Sequence, residues 1–413
     1  MARTSVRLKK TWALLRERGV VPGLKHAARH WLEDRMRVNA DVFGDLSFVY
    51  GDLVPPALTS QNHAGLTITW IIPQFALGSG GHHNIFSAIV DLETAGHRNQ
   101  IYLVGGSDAE ARLSTEIARR YYAPITCEIQ LFREQVADSD ALVATSWETA
   151  YRVRSLGNTC RKFYFVQDLE YQFYSEGSLR ELAAQTYRWG FYGITGGDWI
   201  AAELMKNFNM PCSSFRFWYD TQLYRPIPES QTDRKRILFY ARPRTARRGF
   251  DLGLLALGLV AKEVPDTEFI LPGMTPRDAE LPFRATFPGV LAVQRLPALY
   301  SSVTASLVLS HTNLSLLPVE LMACGCPVVS NRGPNVEWLL SDQNCLLADP
   351  TPECLAEKLI RLLKDDDLRN KYSQAGLRFA ASIDRKQEIA KIERAFRIGL
   401  GQGDQRRGLG WPV

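Results

Sequence analysis

From about residue 65, short apolar runs alternate with longer stretches of mixed polarity, and the rhythm repeats in both halves of the chain. The first half offers LTITWII (66–72), QIYLV (100–104), CEIQLF (127–132), ALVAT (141–145), KFYFVQ (162–167) and YGIT (192–195). The second offers RILFY (236–240), TEFIL (267–271), GVLAV (289–293), ASLVL (305–309), CPVVS (326–330) and NCLLA (344–348). Near-continuous apolar runs separated by helix-length segments predict parallel strands with crossover helices, an α/β class. The segment YRPIPESQTDRKR (224–236) is polar, contains prolines and lacks an apolar period, so it reads as a linker. Two similar α/β halves joined by one linker leave a cleft faced by the C-terminal ends of their strands. The expected organisation is a helical extension over 1–60, a first domain over 61–222 and a second over 223–383. Residues 384–413 then carry an amphipathic helix, DRKQEIAKIERAFRIGL (384–400), expected to pack back toward the first domain, and a fraying tail.

Length and composition fit this picture. At ~150 residues per domain, 413 residues accommodate two large domains and a tail. The chain is 46% hydrophobic and 23% charged, ordinary for a globular protein. No apolar stretch approaches the ~20 residues that span a bilayer, and no apolar segment followed by a cleavage site opens the sequence. Seven scattered cysteines point to free thiols in a reducing cytoplasm. The net charge of +5 is concentrated at the start: residues 1–40 hold ten Lys or Arg against Glu17, Glu33 and Asp34. With Trp12, Leu14, Leu15, Val20, Val21 and Trp31 interleaved, this segment reads either as an interfacial amphipathic element or as a solvated helix pair. The first reading implies a membrane surface as partner, peripheral at the inner face of the cell membrane. Nucleic acid is not an expected partner, because the rest of the chain has no basic bias.

The chemistry sits between strands. In LSLLPVELMACGCPVVSN (314–331), Glu320 is the one acid in an apolar, small-residue run. Pro318 suits the first turn of a helix, while Gly325 and Pro327 end it, so Glu320 falls in the first turn. A capping box would need Ser or Thr at Leu317, so the carboxylate has no local cap to make. The stretch PQFALGSGGHHNIFSAIVDL (73–92) is a Gly-rich turn opening a helix, suited to phosphate or a polar sugar and equally to tight strand–helix packing. His83 stands where a dinucleotide fingerprint needs a small residue. His82 and His83 can orient a ligand or face solvent.

In FYARPRTARRGFDLGLLAL (239–257), Arg242, Arg244, Arg247 and Arg248 surround a turn at a strand's C-terminal end. Their planar donors match phosphate oxygens and make a diphosphate-site candidate. FVQDLEYQFYSEG (165–177) places Asp168 and Glu170 after a strand, where they can bind acceptor hydroxyls, take a proton or simply face water. Asp138-Ser139-Asp140 has a D-x-D pattern but precedes its strand, at the wrong edge of the sheet, and Cys324-Gly325-Cys326 lacks a second ligand pair for zinc.

With the arginine loop and the Glu320 helix in place, the second half resembles the nucleotide-binding domain of GT-B glycosyltransferases of the retaining family-4 type. The resemblance implies two Rossmann-like domains facing across a cleft. It implies that Arg242, with Arg247 or Arg248, binds a donor diphosphate, and that Glu320 of LPVELMACGCPVVSN is an anion holding the nucleotide ribose diol. Thr312 stands where that family carries a first glutamate. The stretches VQDLEYQFYSEGS, TYRWGFYGITGGDWIA and YARPRT further resemble bacterial rhamnosyltransferases of the WsaF type, which use dTDP-rhamnose to elongate surface glycans.

That likeness covers most of residues 65–345. It implies donor binding by Glu320, Arg242, Arg247, Arg248, Arg295, Gly80, Gly81, Thr312, Leu316 and Leu317. It also implies an acceptor side at His82, Asp168 and Glu170, with Arg242, Arg248 and Asp168 serving catalysis. The implied reaction transfers L-rhamnose from dTDP-rhamnose to a hydroxyl of a glycan or lipid-linked glycan, with retention of configuration. No cofactor and no catalytic metal are expected, since arginines and helix N-termini can stabilise a leaving diphosphate. An epimerase of nucleotide sugars on the same fold, or a catalytically silent sugar-binding module, are the alternatives.

Overall fold

The computed structural model describes residues 44, 46–54, 65–76, 78–157, 161–230, 232, 234–242, 245–276, 280–289 and 291–402. The chain forms two compact units, Met1–Asp52 and Leu53–Val413. In the first, the described residues form a 3-10 turn over Ser47–Tyr50. The expected basic helices of the N-terminal extension and Arg244 of the arginine loop lie outside the described residues.

The second unit contains two parallel sheets. The first is built from β1 (Thr67–Pro73), β2 (Arg98–Val104), β3 (Ile129–Leu131), β4 (Ala141–Ala144), β5 (Arg161–Val166), β6 (Tyr192–Gly196) and β7 (Cys212–Phe215). Their order is β3-β2-β1-β4-β5-β6-β7. The helices α1 (Gly80–Thr94), α2 (Asp108–Tyr121), α3 (Trp147–Ser155), α4 (Ser178–Gln185) and α5 (Asp198–Phe208) lie between these strands in sequence. The second sheet holds β8 (Arg236–Phe239), β9 (Glu268–Ile270), β10 (Ala285–Thr286), β11 (Ala305–Val308), β12 (Val328–Asn331) and β13 (Leu346–Ala348), in the order β10-β9-β8-β11-β12-β13. With it come α6 (Phe250–Glu263), α7 (Leu296–Ser301), α8 (Leu317–Ala323), α9 (Pro334–Glu337), α10 (Pro352–Lys364), α11 (Asp366–Ala381) and a last helix, α12 (Arg385–Gly399). Strand order reverses between β1 and β4, and again between β8 and β11, and loops at such switch points are where open α/β sheets bind ligands.

The strands form where the apolar runs predict them because a central parallel strand is covered on both faces. In β1, five consecutive residues are buried, including Trp70, whose indole N–H donates to Asn99 Oδ1 at 2.8 Å. Helix starts are fixed by local caps: Ser107 Oγ accepts from Glu110 N, and Ser146 and Thr149 form a reciprocal capping box on α3. Two expectations are corrected. GVLAV (289–293) carries no strand over its described residues; Gly289 has φ +68°, and a 3-10 turn begins at Val293. The edge of the sheet is the two-residue β10 instead. Conversely, β7, with the sequence CSSF, was too short and polar to register as a strand.

The final helix crosses back onto the first sheet. Phe396 meets Phe163 and Trp70 at ring separations of 5.0 and 6.1 Å. A Cβ at Gly399 would come within 2.3 Å of the Phe163 ring, so glycine lets α12 approach. Glu388 accepts from Arg216 N at 2.7 Å, and Arg385 pairs with Asp91. One apolar cluster runs from Trp70 and Phe165 through Phe215, Trp218 and Tyr224 to Leu238, Tyr300 and Leu321, joining the two halves.

Candidate functional site

The loops after β5, β8 and β11 converge on one carboxylate. Asp168 lies two residues beyond β5 and is buried. Its Oδ2 accepts from Thr312 Oγ1 at 2.8 Å, and its Oδ1 accepts from the backbone N–H groups of Asn313 and Leu169 at 2.9 Å each. Arg247 Nε stands 3.6 Å and Arg248 Nη2 3.7 Å from Oδ2. A carboxylate from the first half is thus held by the second.

Asn313 returns the contact: its Nδ2 donates to Gln167 O at 2.9 Å and to Gly196 O at 2.7 Å. The loop it belongs to is fixed from behind, because Asn335 Nδ2 donates to Ser310 O and Thr312 O, and Asn331 exchanges two hydrogen bonds with Ser310.

The arginine loop turns tightly between β8 and α6. Gly249 has φ +61°, and a Cβ there would sit 2.9 Å from Leu309 Cδ1, so only glycine fits. The turn aims Arg248 inward, where Nη1 donates to Ser310 Oγ at 2.6 Å and Asn313 O at 2.7 Å. Arg247 lies over the Phe173 ring at 3.8 Å, and its Nε is buried without a hydrogen-bond partner. Burial lowers both guanidinium pKa values, that of Arg248 to about 10, while Asp168 works against the fall; both stay cationic at neutral pH. Arg242 is exposed, beside the Tyr240 ring at 4.9 Å. Three guanidinium groups on one loop against a single buried carboxylate leave a surplus of positive charge at this edge.

Glu320 occupies the first turn of α8, as the sequence predicts, and is half-buried. Burial raises its carboxyl to about 7, opposed by a hydrogen bond with Tyr224, which in turn stacks on Tyr300. Near neutral pH the ligand-free chain therefore holds Glu320 in both protonation states. Leu316 is buried and Leu317 half-buried at the start of the same helix. Arg295 is exposed at the end of the 3-10 turn that leads into α7.

On the first half, Gly80 and Gly81 open α1. Nothing lies within 4 Å of a Cβ built on Gly80, and Gln167 Nε2 donates to Gly81 O at 3.0 Å. In the ligand-free chain both ring nitrogens of His82 are engaged: Nδ1 pairs with Ser79 Oγ at 2.8 Å, Nε2 with Pro73 O at 3.3 Å, and the ring stacks on Phe75. Burial pushes its pKa down to about 4, so it is a neutral brace for the Gly-rich turn. Glu170 is likewise taken, accepting from Trp147 N and Tyr164 Oη. Burial, with Glu148 nearby, pushes its carboxyl up to about 8, so it is mostly protonated at neutral pH. The structure brings Asp168, Thr312, Arg247 and Arg248 together and leaves Arg242 and Arg295 exposed. Asn313, Ser310, Asn331 and Asn335 were missed by sequence reasoning. The signal was the polar cluster SHTN (310–313) directly after an apolar strand.

Comparison with known proteins adds to this geometry. Residues 235–360 match the family model described as WsaF, C-terminal domain. The O-antigen biosynthesis protein RfbC of Myxococcus xanthus is 32% identical over 368 residues, 84% of this chain. This chain spans 28% of that relative's length. Among solved structures, sucrose-phosphate synthase from Thermosynechococcus elongatus aligns over 82% of this chain and all of its own, at 15% identity and TM-score 0.64. HepE of Anabaena, solved with UDP and glucose, aligns over 81% of this chain and 98% of its own, at 14% identity and TM-score 0.62. At such identities these two structures speak for the fold, which is GT-B.

Proposed function

We propose that this chain, whose fold is GT-B and whose second half matches the WsaF C-terminal family model, transfers a sugar from a nucleoside diphosphate to a glycan hydroxyl. The observation that carries the reading is the arginine loop after β8, whose Arg247 and Arg248 stand at the edge of the second sheet against the first half. A diphosphate needs cationic, fork-like donors there, and its charge grows as the glycosidic bond breaks. Glu320, one loop away, offers an acceptor for the sugar hydroxyls of the nucleotide. The name of the Myxococcus relative, an O-antigen biosynthesis protein, and the UDP and glucose held by HepE support a surface glycan and a nucleotide sugar as the substrate classes.

The finer reading is L-rhamnose from dTDP-rhamnose, transferred with retention. Thr312 Oγ1 already donates to Asp168, and no carboxylate stands at position 312 itself. A 6-deoxy sugar has fewer hydroxyls wanting partners. Attack from the leaving-group side asks only for the arginines, with diphosphate oxygen removing the acceptor proton. The metal-free mechanism and the membrane-surface partner belong to this proposal too. A panel of dTDP, UDP and GDP sugars, with and without a glycan acceptor, tests it: nucleoside diphosphate is released only when acceptor is present. Release without acceptor favours a hydrolase, and an intact nucleotide sugar of altered configuration with no release favours an epimerase. NMR of the product anomer shows retention, and an inverted product overturns that part.

A further inference from the structure

We propose that Asp168 is the resident counter-ion of the arginine pair, and that the diphosphate of an incoming nucleotide sugar competes with it for those cations. This rests on the reading of the arginine loop as a diphosphate site. Asp168 lies 3.6 and 3.7 Å from the two guanidinium groups, close enough for ionic attraction but beyond hydrogen-bond length. Its actual hydrogen bonds come from neutral donors: Thr312 Oγ1 and the N–H groups of Asn313 and Leu169. The carboxylate therefore neutralises the arginines without occupying their donors, and Arg247 Nε is left buried and unpartnered. A buried cation needs a partner, and Asp168 supplies the charge while leaving Arg247 Nε without an acceptor; Arg248 Nη1 is engaged by Ser310 and Asn313.

Bringing a diphosphate to the same arginines places two anions against one another. Like charges at this range disfavour each other strongly in a partly desolvated site. The lower-energy arrangement moves Asp168 away from Arg247 and Arg248 and gives their donors to phosphate oxygens. Two of the polar contacts between the halves end on Asp168, so its displacement also loosens the second half's hold on the first. A second pair, from Asn313 Nδ2 to Gln167 O and Gly196 O, keeps the halves in register. Donor entry thus exchanges an internal anion for an external one, and product diphosphate leaves when Asp168 returns.

Titration calorimetry with inorganic diphosphate and with UDP, on the full chain and on Asp168→Asn, tests the exchange. The amide is isosteric and can still accept from Asn313 N. Removing the competing charge should tighten both ligands about tenfold, a modest share of what one unit charge at this distance is worth. Equal or weaker binding by a folded Asp168→Asn overturns the proposal while leaving the diphosphate site standing. If neither protein binds inorganic diphosphate or UDP, the site reading fails and the proposal with it. Hydrogen exchange on the unmodified chain is independent of any variant: saturating diphosphate should speed exchange at the Leu169 and Asn313 amides. Unchanged or slower exchange there, with ligand bound, also overturns the proposal.

Discussion

Replacing Glu320 by Gln should make the chain more stable at alkaline pH and leave it almost unchanged in mild acid. The Glu320 carboxyl moves from an ordinary 4.5 to about 7 because burial in the first turn of α8 penalises its charge. Its folded pKa lies above its unfolded one, so the folded chain holds a proton that the unfolded chain releases between those values. The stability is fully present below about 4.5 and is lost as pH rises through about 7. At ~1.4 kcal/mol per tenfold, the interval is worth ~3 kcal/mol, and partial exposure of the side chain brings the expected cost to about 1–2 kcal/mol.

Gln carries no charge and can still accept from Tyr224. Denaturant unfolding at pH 4.5, 6 and 8 should therefore show the variant gaining about 1–2 kcal/mol on the parent across the series. A stability difference that stays flat with pH would refute the assignment of a strained carboxyl. Binding reports the same group with opposite sign, because only the carboxylate is a pure acceptor for sugar hydroxyls. A ribonucleotide offers two such hydroxyls and a deoxyribonucleotide one. Glu320→Gln should thus weaken UDP by roughly tenfold or more and dTDP by less, on the scale of charge-assisted hydrogen bonds at ~1.5–3 kcal/mol. Equal losses for both nucleotides would exclude a contact with the 2′-hydroxyl, and no loss for either would exclude a sugar contact altogether.

Arg247→Ala and Arg248→Ala should separate binding from folding. Arg248 holds Ser310 and Asn313 from a buried position, so its loss should cost about 3 kcal/mol of stability. Arg247 stacks on Phe173 with a free Nε, so its loss should mainly weaken diphosphate binding; calorimetry beside thermal melts distinguishes the two. Asn313→Ala removes two hydrogen bonds from the second half to the first and should lower stability by about 2 kcal/mol, read by urea unfolding. Gly253→Ala on α6 would push a Cβ to within 2.3 Å of the buried Phe239 ring. Overpacking outweighs the gain in helix propensity, so a loss of about 1–2 kcal/mol is expected, and a more stable variant would contradict it.

The apolar rhythm was enough to read both sheets because central parallel strands have no polar face. TITWIIP and ALVA announce themselves by composition alone. The edges escaped for the same reason. CSSF in β7 has one buried residue, and the two-residue β10 has none, so neither needs an apolar run. GVLAV shows the converse: none of its described residues is buried, and none joins a strand. Loop residues were legible as chemical types, since an arginine cluster or a lone Glu320 at a strand's C-terminal end is visible in one dimension. Their protonation was not, because about 7 for Glu320 and about 4 for His82 follow from burial by residues far away in sequence.

The Asp168 site was least legible because its geometry is made by sequence separation. Thr312 and Asn313 lie some 145 residues from the carboxylate they bind, and Arg247 and Arg248 lie on a third loop. Each residue alone has an ordinary local reading: an acid after a strand, a polar turn, a basic loop. What makes them one site is that β8 and β11 end at one edge of the second sheet, a consequence of their parallel pairing, and that the loop after β5 of the first sheet meets them there. Parallel pairing requires crossovers, crossovers put every loop of one polarity on one side, and two such sides facing each other gather polar groups from the whole chain. A carboxylate placed there is held by whichever half it faces. Asp168 is held by the other half, so any anion that claims Arg247 and Arg248 also acts on the contact between the halves.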